Sequence, residues 1–567
     1  MGAGGRVIGA GVSVILVIGV CIAVIGGLKG RNMADEGDVL STTSKSVAAI
    51  CNPTDYKQAC VESLDTLVSN HTATPTDFIQ AAINATIKAV QQTLDHVGII
   101  FDKPEEMNPY QKMAKEDCED LLNFAVQELQ ATFSMVGDND MHSLKDREGE
   151  ISSWLSSVIS YQETCLDGVE ESDMKIQLSN GLLNATQLTS NAIAIVSAIS
   201  GILSNFNITL TTNPESRRLA EREDVKGGEY PGWMRAQDRK LLGSNHKGRV
   251  TPNAVVAKDG SGNFKTIGEA LAAYPKNHVG RYVIYVKAGI YNEYVTVERT
   301  QTNIFMYGDG PRQTIITGKK SFHFDKITTF RTATFSVMGN GFVGKSMGFQ
   351  NTAGPEGHQA VALRVQADAS AFYNCRIDGY QDSLYVQAHR QFYRNCVISG
   401  TIDFIFGDSS TLIQNSLIIV RMPMKGQKNS VTAHGRKDRR QTTGLVIQNC
   451  RIVPEQKLAP MKNVYPSYLG RPWKEYSRTV IMESIIGDVI QPAGWMEWQG
   501  NFALDTLDYA EYGNQGPGSA TNQRVRWRGF HVITNRNEAL QYTAGQFLQG
   551  NTWLPLTGAP HILGLKN

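Results

Sequence analysis

The first pattern along the chain is an uncharged run from residues 7 to 28, flanked by Arg6, Lys29 and Arg31. It is long enough to cross a bilayer and longer than an ordinary signal-peptide core, so a secretory signal or signal anchor is expected there. From about residue 46 to 210 apolar residues recur three and four positions apart, in segments 78–101, 118–136, 151–169 and 174–202. That period puts one apolar face on each helix, and four such segments predict an antiparallel four-helix bundle. Residues 211–248 are polar and rich in Pro, Gly and charge, which reads as a linker. After Thr251 short runs of β-branched and aromatic residues alternate with Gly, Asn and Asp, so the remainder, 249–567, is expected to be all-β.

Within that β region the sequence repeats itself. Asn374-Cys375, Asn395-Cys396 and Asn415-Ser416 lie 21 and 20 residues apart. Gly379 and Gly400 share the 21-residue spacing, as do Asp382 and Asp403. A period near 20 with short strands predicts a parallel β-helix whose coils stack. Stacked strands are about 4.8 Å apart, which would set Asp382 beside Asp403 on one face.

Charge changes the picture more than overall composition does. The formal net charge of +1 hides two opposed halves: residues 1–248 carry 20 basic and 32 acidic side chains, and residues 249–567 carry 35 and 22. The C-terminal half is therefore expected to meet a polyanion, which the N-terminal half would shield. Four Asn-x-Ser/Thr sequons, at Asn70, Asn84, Asn184 and Asn207, fit passage through a glycosylating compartment. Cys51, Cys60, Cys118 and Cys165 in the helical part imply two disulfides, with three pairings open. The linker holds Arg217-Arg218-Leu219 and Arg239-Lys240-Leu241-Leu242, candidate sites for a processing protease. No His or Cys spacing points to a metal, and no cofactor is implied.

The stretch Gly339-Asn340-Gly341-Phe342-Val343-Gly344-Lys345-Ser346 matches phosphate-loop patterns, and Gly344 to Gly348 matches a serine-hydrolase elbow. Both need a helix to follow at once, and Met347-Gly348-Phe349-Gln350-Asn351 followed by Gly354-Pro355 does not supply one. These matches are read as turns of a Gly-rich sheet.

The chemistry gathers elsewhere, in Gln359-Ala360-Val361-Ala362-Leu363, Gln381-Asp382-Ser383-Leu384, Asp403-Phe404-Ile405-Phe406-Gly407 and Leu469-Gly470-Arg471-Pro472-Trp473. Two neighbouring carboxylates in an apolar setting cannot both ionise easily, so one becomes a base or nucleophile and the other an acid. With Gly289-Ile290-Tyr291-Asn292-Glu293 and Tyr509-Ala510-Glu511-Tyr512, followed by Gly516-Pro517-Gly518, these segments resemble a plant pectin methylesterase. Residues 46–210 resemble the inhibitor-like pro-region that precedes many such enzymes. The resemblance implies a right-handed parallel β-helix, with Asp403 as nucleophile, Asp382 as acid and base, and Gln381, with Gln359, as oxyanion donors. Arg471 would hold Asp403, and Trp473, Thr329, Phe404 and Trp495 would line the sugar groove. The implied substrate is methyl-esterified homogalacturonan of the cell wall, with no nucleic acid involved. The pro-region would either inhibit the catalytic half until cleavage or assist export. A polygalacturonase or lyase on the same fold, and a non-catalytic inhibitor protein, are the competing readings.

Two positions depart from the resemblance. Plant members commonly bridge cysteines at the positions of Cys396 and Ser416; here Cys396 must be free or pair with Cys375. His434 stands where Gln is usual. A last difficulty is local: Gln381 and Asp382 face opposite sides of an ideal strand, and serve one site only if the chain bends there.

Overall fold

The computed structural model describes residues 42–67, 73–101, 107–139, 141–198 and 251–566. The apolar run at 7–28, the sequons at Asn70 and Asn207 and the linker at 211–248 lie outside them. No helix among the described residues is long and apolar enough to cross a membrane.

The helical part comprises α1 (Thr42–Cys51), α2 (Lys57–Ser63), α3 (Pro75–Ile100), α4 (Pro109–Asp138), α5 (Met141–Asp146), α6 (Glu148–Asp167) and α7 (Ser172–Ser197). The four long ones are the four predicted segments, packed round one apolar core. Two begin earlier than their apolar periodicity because their first turns are polar capping boxes. Thr74 accepts from the Asp77 amide ahead of Pro75, and Asn108 does the same with Gln111 ahead of Pro109. Disulfides join Cys51 to Cys60 and Cys118 to Cys165, which ties α1 to α2 and α4 to α6. Asn84 and Asn184 are exposed on α3 and α7.

The second part winds three parallel sheets of 11, 7 and 8 strands among the described residues. One coil contributes Leu363–Val365, Ser370–Tyr373 and Arg376–Asp378, one strand to each sheet, and the next contributes Leu384–Val386, Arg390–Arg394 and Val397–Gly400. Leu363 pairs with Leu384 and Leu384 with Ile405, so the 21-residue repeat is the length of a coil. The interior is apolar and partly aromatic, with Phe372 and Tyr393 stacked 5.0 Å apart on successive coils. Three short C-terminal helices cover the outer face of the 11-stranded sheet through Leu548, Trp553 and Leu554.

The Asn repeat is a corner of the coil. Asn374, Asn395, Asn415 and Asn449 all adopt φ between 51° and 53°, a left-handed turn that Asn tolerates better than most residues. Their side chains bond from coil to coil: Asn415 Nδ2 donates to Asn395 Oδ1 at 2.5 Å, and Asn449 Nδ2 to Asn415 Oδ1 at 3.1 Å. The following residue turns inward. Cys375, Cys396 and Cys450 are buried and free, which decides between the two states expected of Cys396. Ser416 fills its rung by accepting from the Cys396 amide at 3.0 Å and donating to the Gln414 carbonyl at 3.0 Å, so its hydroxyl is buried without loss.

The phosphate-loop look-alike is sheet and turn, with Gly341 at φ 75° and Val343–Lys345 a strand. His434 is fully buried. Its Nδ1 accepts from the Arg478 amide at 3.2 Å, and Nε2 faces the Ser409 carbonyl at 3.4 Å. Burial and the nearby Arg436 depress its pKa to about 3. It is a neutral ring with one donor and one acceptor, and a Gln side chain can also supply one of each.

Candidate active site

Asp382 and Asp403 each sit two residues ahead of a strand of the 7-stranded sheet, in turns with φ 61° and 50°. The chain does bend there, which resolves the conflict between Gln381 and Asp382. The glycines at the same spacing make room for the turns: a Cβ on Gly400 would lie 2.2 Å from the Phe404 Cβ, and one on Gly379 would lie 2.5 Å from the Ser383 hydroxyl. The Leu384 amide bonds the Phe404 carbonyl at 2.9 Å and the Asp382 amide the Ile402 carbonyl at 3.1 Å, so the acids occupy adjacent rungs.

Their surroundings are unequal. Arg471 grips Asp403 with two parallel bonds, Nε to Oδ1 at 2.8 Å and Nη2 to Oδ2 at 2.6 Å, while its guanidinium lies 4.3 Å over the Trp498 ring. Asp382, 7% exposed, has no such grip. Burial, and then the Asp403 charge, push its pKa well above the usual carboxylate range, with Arg471 opposing only in part.

Both acids open onto a cavity of about 400 Å³ whose walls include Thr329, Gln359, Gln381, Arg471 and Trp473. Asp382, Asp403, Gln381, Thr329, Gln359, Arg471 and Trp473, expected to be catalytic or to bind substrate, are thus in one place. Gln359 and Gln381 pair on neighbouring coils. Phe404 and Trp495 do not belong to this wall. Phe404 follows the Asp403 turn inward and is fully buried in the coil core, and Trp495 is buried against Tyr509 at 4.3 Å with its indole N–H on Glu511. Phe406 and Trp498 line the cavity instead. The floor is a column of paired residues on successive coils, Tyr385 stacked on Phe406 at 4.3 Å and Phe406 paired with Ala433. Alternation counted from Asp403 points to Ile405 and misses this column; the signal in the sequence is the 21-residue step that relates Tyr385 to Phe406.

The roof comes from the helical part. Tyr110, Asp117 and Leu121 of α4, and Thr164 and Asp167 of α6, complete the cavity. Asp117 accepts from Thr328 Oγ1 at 2.6 Å and Arg331 Nε at 2.5 Å, and Ser160 donates to the Gln387 carbonyl at 2.6 Å. His389 is enclosed by Ser157 at 3.0 Å, Tyr161 at 3.2 Å and Glu128 at 3.5 Å. Asp55 pairs with both Arg439 and Arg440, which hold its pKa far below the ordinary value.

The Pectinesterase family profile matches residues 253–551, and the profile described as Plant invertase/pectin methylesterase inhibitor matches residues 45–195. This chain belongs to the pectinesterase family. The Arabidopsis thaliana "Probable pectinesterase/pectinesterase inhibitor 13" is 48% identical over 526 residues, covering 92% of this chain and 82% of that protein. "Probable pectinesterase/pectinesterase inhibitor 58" of the same plant is 43% identical over 562 residues, covering 98% and 97%. The solved pectin methylesterase from carrot is 54% identical with a TM-score of 0.56, and all of that chain corresponds to 56% of this one. The other segments behind the resemblance are structural in this pectinesterase. Glu293 accepts from the amides of Ile267 and Gly268 at a helix start, and Glu511 pairs with Arg524 at 2.7 Å.

Proposed function

We propose that residues 249–567 hydrolyse the methyl esters of cell-wall homogalacturonan through an aspartyl acyl-enzyme, and that the helical part holds the site closed until the linker is cut. The observation that carries this reading is the inequality of the two acids, one gripped by Arg471 and one desolvated beside it.

The Asp403 carboxylate attacks the ester carbonyl carbon, and amide N–H groups of Gln381 and Gln359 stabilise the tetrahedral oxyanion. Collapse expels the methoxy group, which takes the proton of Asp382 and leaves as methanol. Asp403 is now joined to the galacturonate as an anhydride. Asp382, ionised, takes a proton from water as its oxygen attacks that anhydride, freeing galacturonic acid, which ionises to solvent, and restoring both acids. A raised pKa suits Asp382 to the first step, and Arg471 keeps one carboxylate oxygen of Asp403 aimed at the substrate side.

Closure is supported by the roof over the cavity, since no polymer can lie across the dyad while α4 and α6 occupy it. Release would follow cleavage at Arg217-Leu219 or Arg239-Leu242, and export to the cell wall would use the 7–28 segment. The two disulfides and the exposed Asn84 and Asn184 fit that route. The test is methanol release from esterified pectin by residues 249–567 beside Asp382→Asn and Asp403→Asn. Activity lost in both variants, with polymer length unchanged in the wild type, is expected; chain shortening would favour a polygalacturonase or lyase.

A further inference from the structure

A row of polar and aromatic side chains runs along the outer face of the 11-stranded sheet, beside the C-terminal helices. Tyr285, Tyr307, Lys345, Tyr373 and Arg394 pair in register on successive coils. Their strand neighbours Phe372 and Tyr393 fill the coil core, so the five alternate outward, and each is half-buried. Coils are about 4.8 Å apart, which makes the row about 19 Å long and sets its two cations about 10 Å apart. Chain closes one end. Gln414, next after Arg394, donates to the Ile562 carbonyl and accepts from its amide, both at 3.0 Å.

The charge of this row is unbalanced. Neither Lys345 nor Arg394 has a carboxylate partner among the described residues. The Lys345 ammonium has the Tyr373 ring, 5.9 Å to its centroid. Arg394 donates from Nη1 to Gln414, while its Nε is buried with no partner. Burial lowers the pKa of each cation, and no carboxylate opposes it. The tail brings His561 close to Arg394, and burial pushes the pKa of that ring down, so it supplies no counter-charge. Two half-desolvated cations on one face call for an anionic ligand.

One group per coil along a line suits an extended chain better than a flat surface. We propose that Lys345, Tyr373 and Arg394 form a non-catalytic binding row for polygalacturonate, which places carboxylates on the two cations and a sugar hydroxyl on the phenol between them. The choice of polymer rests on the esterase reading above; the row itself does not. It lies on a different sheet from the dyad, and among the described residues no hydrogen bond or ion pair joins it to the helical part. The row is therefore open while the bundle covers the cavity. The precursor is held on the wall polymer before its active site is free, and the released enzyme stays tethered where it works.

The experiment measures binding of the full chain to polygalacturonate, which has no ester, at low salt, with thermal unfolding as the check on folding. One charge-assisted contact is worth about tenfold in binding. Lys345→Gln combined with Arg394→Gln should weaken Kd about a hundredfold at unchanged Tm, and Lys345→Arg combined with Arg394→Lys should retain it. Each single Gln variant, at about tenfold, keeps the test decisive if the pair does not fold. Tyr373→Phe should weaken binding about threefold, the worth of one neutral hydrogen bond. Lys276→Gln combined with Lys457→Gln removes the same charge at two exposed positions off the row, and should change Kd by less than about threefold. Equal weakening by the two Gln pairs would reduce the attraction to diffuse charge and overturn the row, and so would unchanged binding in Lys345→Gln with Arg394→Gln. Row-dependent binding to phosphatidylserine vesicles, with none to polygalacturonate, would overturn the polymer in favour of a membrane surface. The readout contains no ester chemistry, so absence of methanol release from esterified pectin would defeat the esterase reading and leave the binding result standing.

Discussion

Replacing Asp382 by Asn should slow chemistry and raise stability, and the second effect has a pH dependence set by the raised pKa of the Asp382 carboxyl. The Asp382 carboxyl is pushed well above the usual range by burial and by Asp403 one coil away. As pH rises, the unfolded chain gives up this proton near the ordinary aspartate value of about 3.9, while the folded chain keeps it. The stability linked to that retained proton is complete below the unfolded pKa and is lost as pH rises through the folded one. Across that window the loss is about 1.4 kcal/mol per pH unit. Asn cannot ionise and is spared it. Asp382→Asn should therefore match the wild type near pH ~4 and gain on it steadily above, by about 2 °C in Tm for each kcal/mol in a chain of this size. Methanol release should fall by about 10²–10⁴, the worth of a general acid–base group. Thermal unfolding of the full chain from about pH 4 to about pH 8, with activity read on residues 249–567, checks both. Parallel stability curves, or a variant less stable at high pH, would refute the placement of Asp382 as a desolvated acid.

The full chain should release methanol far more slowly than residues 249–567. Asp55→Ala combined with Asp117→Ala, which removes the carboxylates facing Arg439, Arg440 and Arg331, should raise full-chain activity about tenfold or more, whereas unchanged activity would place the hold of the bundle elsewhere. Gly400→Ala forces a Cβ to 2.2 Å from Phe404, so it should cost about 1–3 kcal/mol in denaturant unfolding and displace the Asp403 turn, with activity lost in parallel. Ser416→Cys supplies a thiol on the coil next to Cys396. After oxidation, mass spectrometry should find Cys396 protected from alkylation, with stability raised by at most about 3 kcal/mol.

The dyad was legible because spacing alone carries it: two acids 21 residues apart in a chain whose coil is 21 residues long must be neighbours. Which aromatic residues join them was not legible from proximity in sequence. Phe404 adjoins Asp403 yet points inward, because the left-handed turn at Asp403 resets the alternation, and Phe406 two places on faces the cleft. Trp495 and Trp498 lie three apart and divide the same way, one filling the coil and one meeting Arg471. The bundle was visible in its apolar period, but its first turns at Pro75 and Pro109 were not, since caps are polar. The docking of α4 and α6 over the dyad had only one trace, the opposed charge of the two halves. Which pairs meet depends on surfaces that no local pattern encodes.

The Asn corner has a consequence for how such a scaffold diversifies. Between Leu417 and Arg451 the chain takes 34 residues to complete a circuit that the two coils before it complete in 21 and 20, and yet the two strands pair in register. Asn415 and Asn449 still bond across that longer circuit. The extra length divides between the two segments flanking the strand Asn429–His434, about seven residues ahead of Thr432 and seven between His434 and Gly444. One edge of the winding thus works as a fixed seam while the opposite edge is free to lengthen, so new substrate contacts can be added by insertion without disturbing the stacking that holds the catalytic acids together.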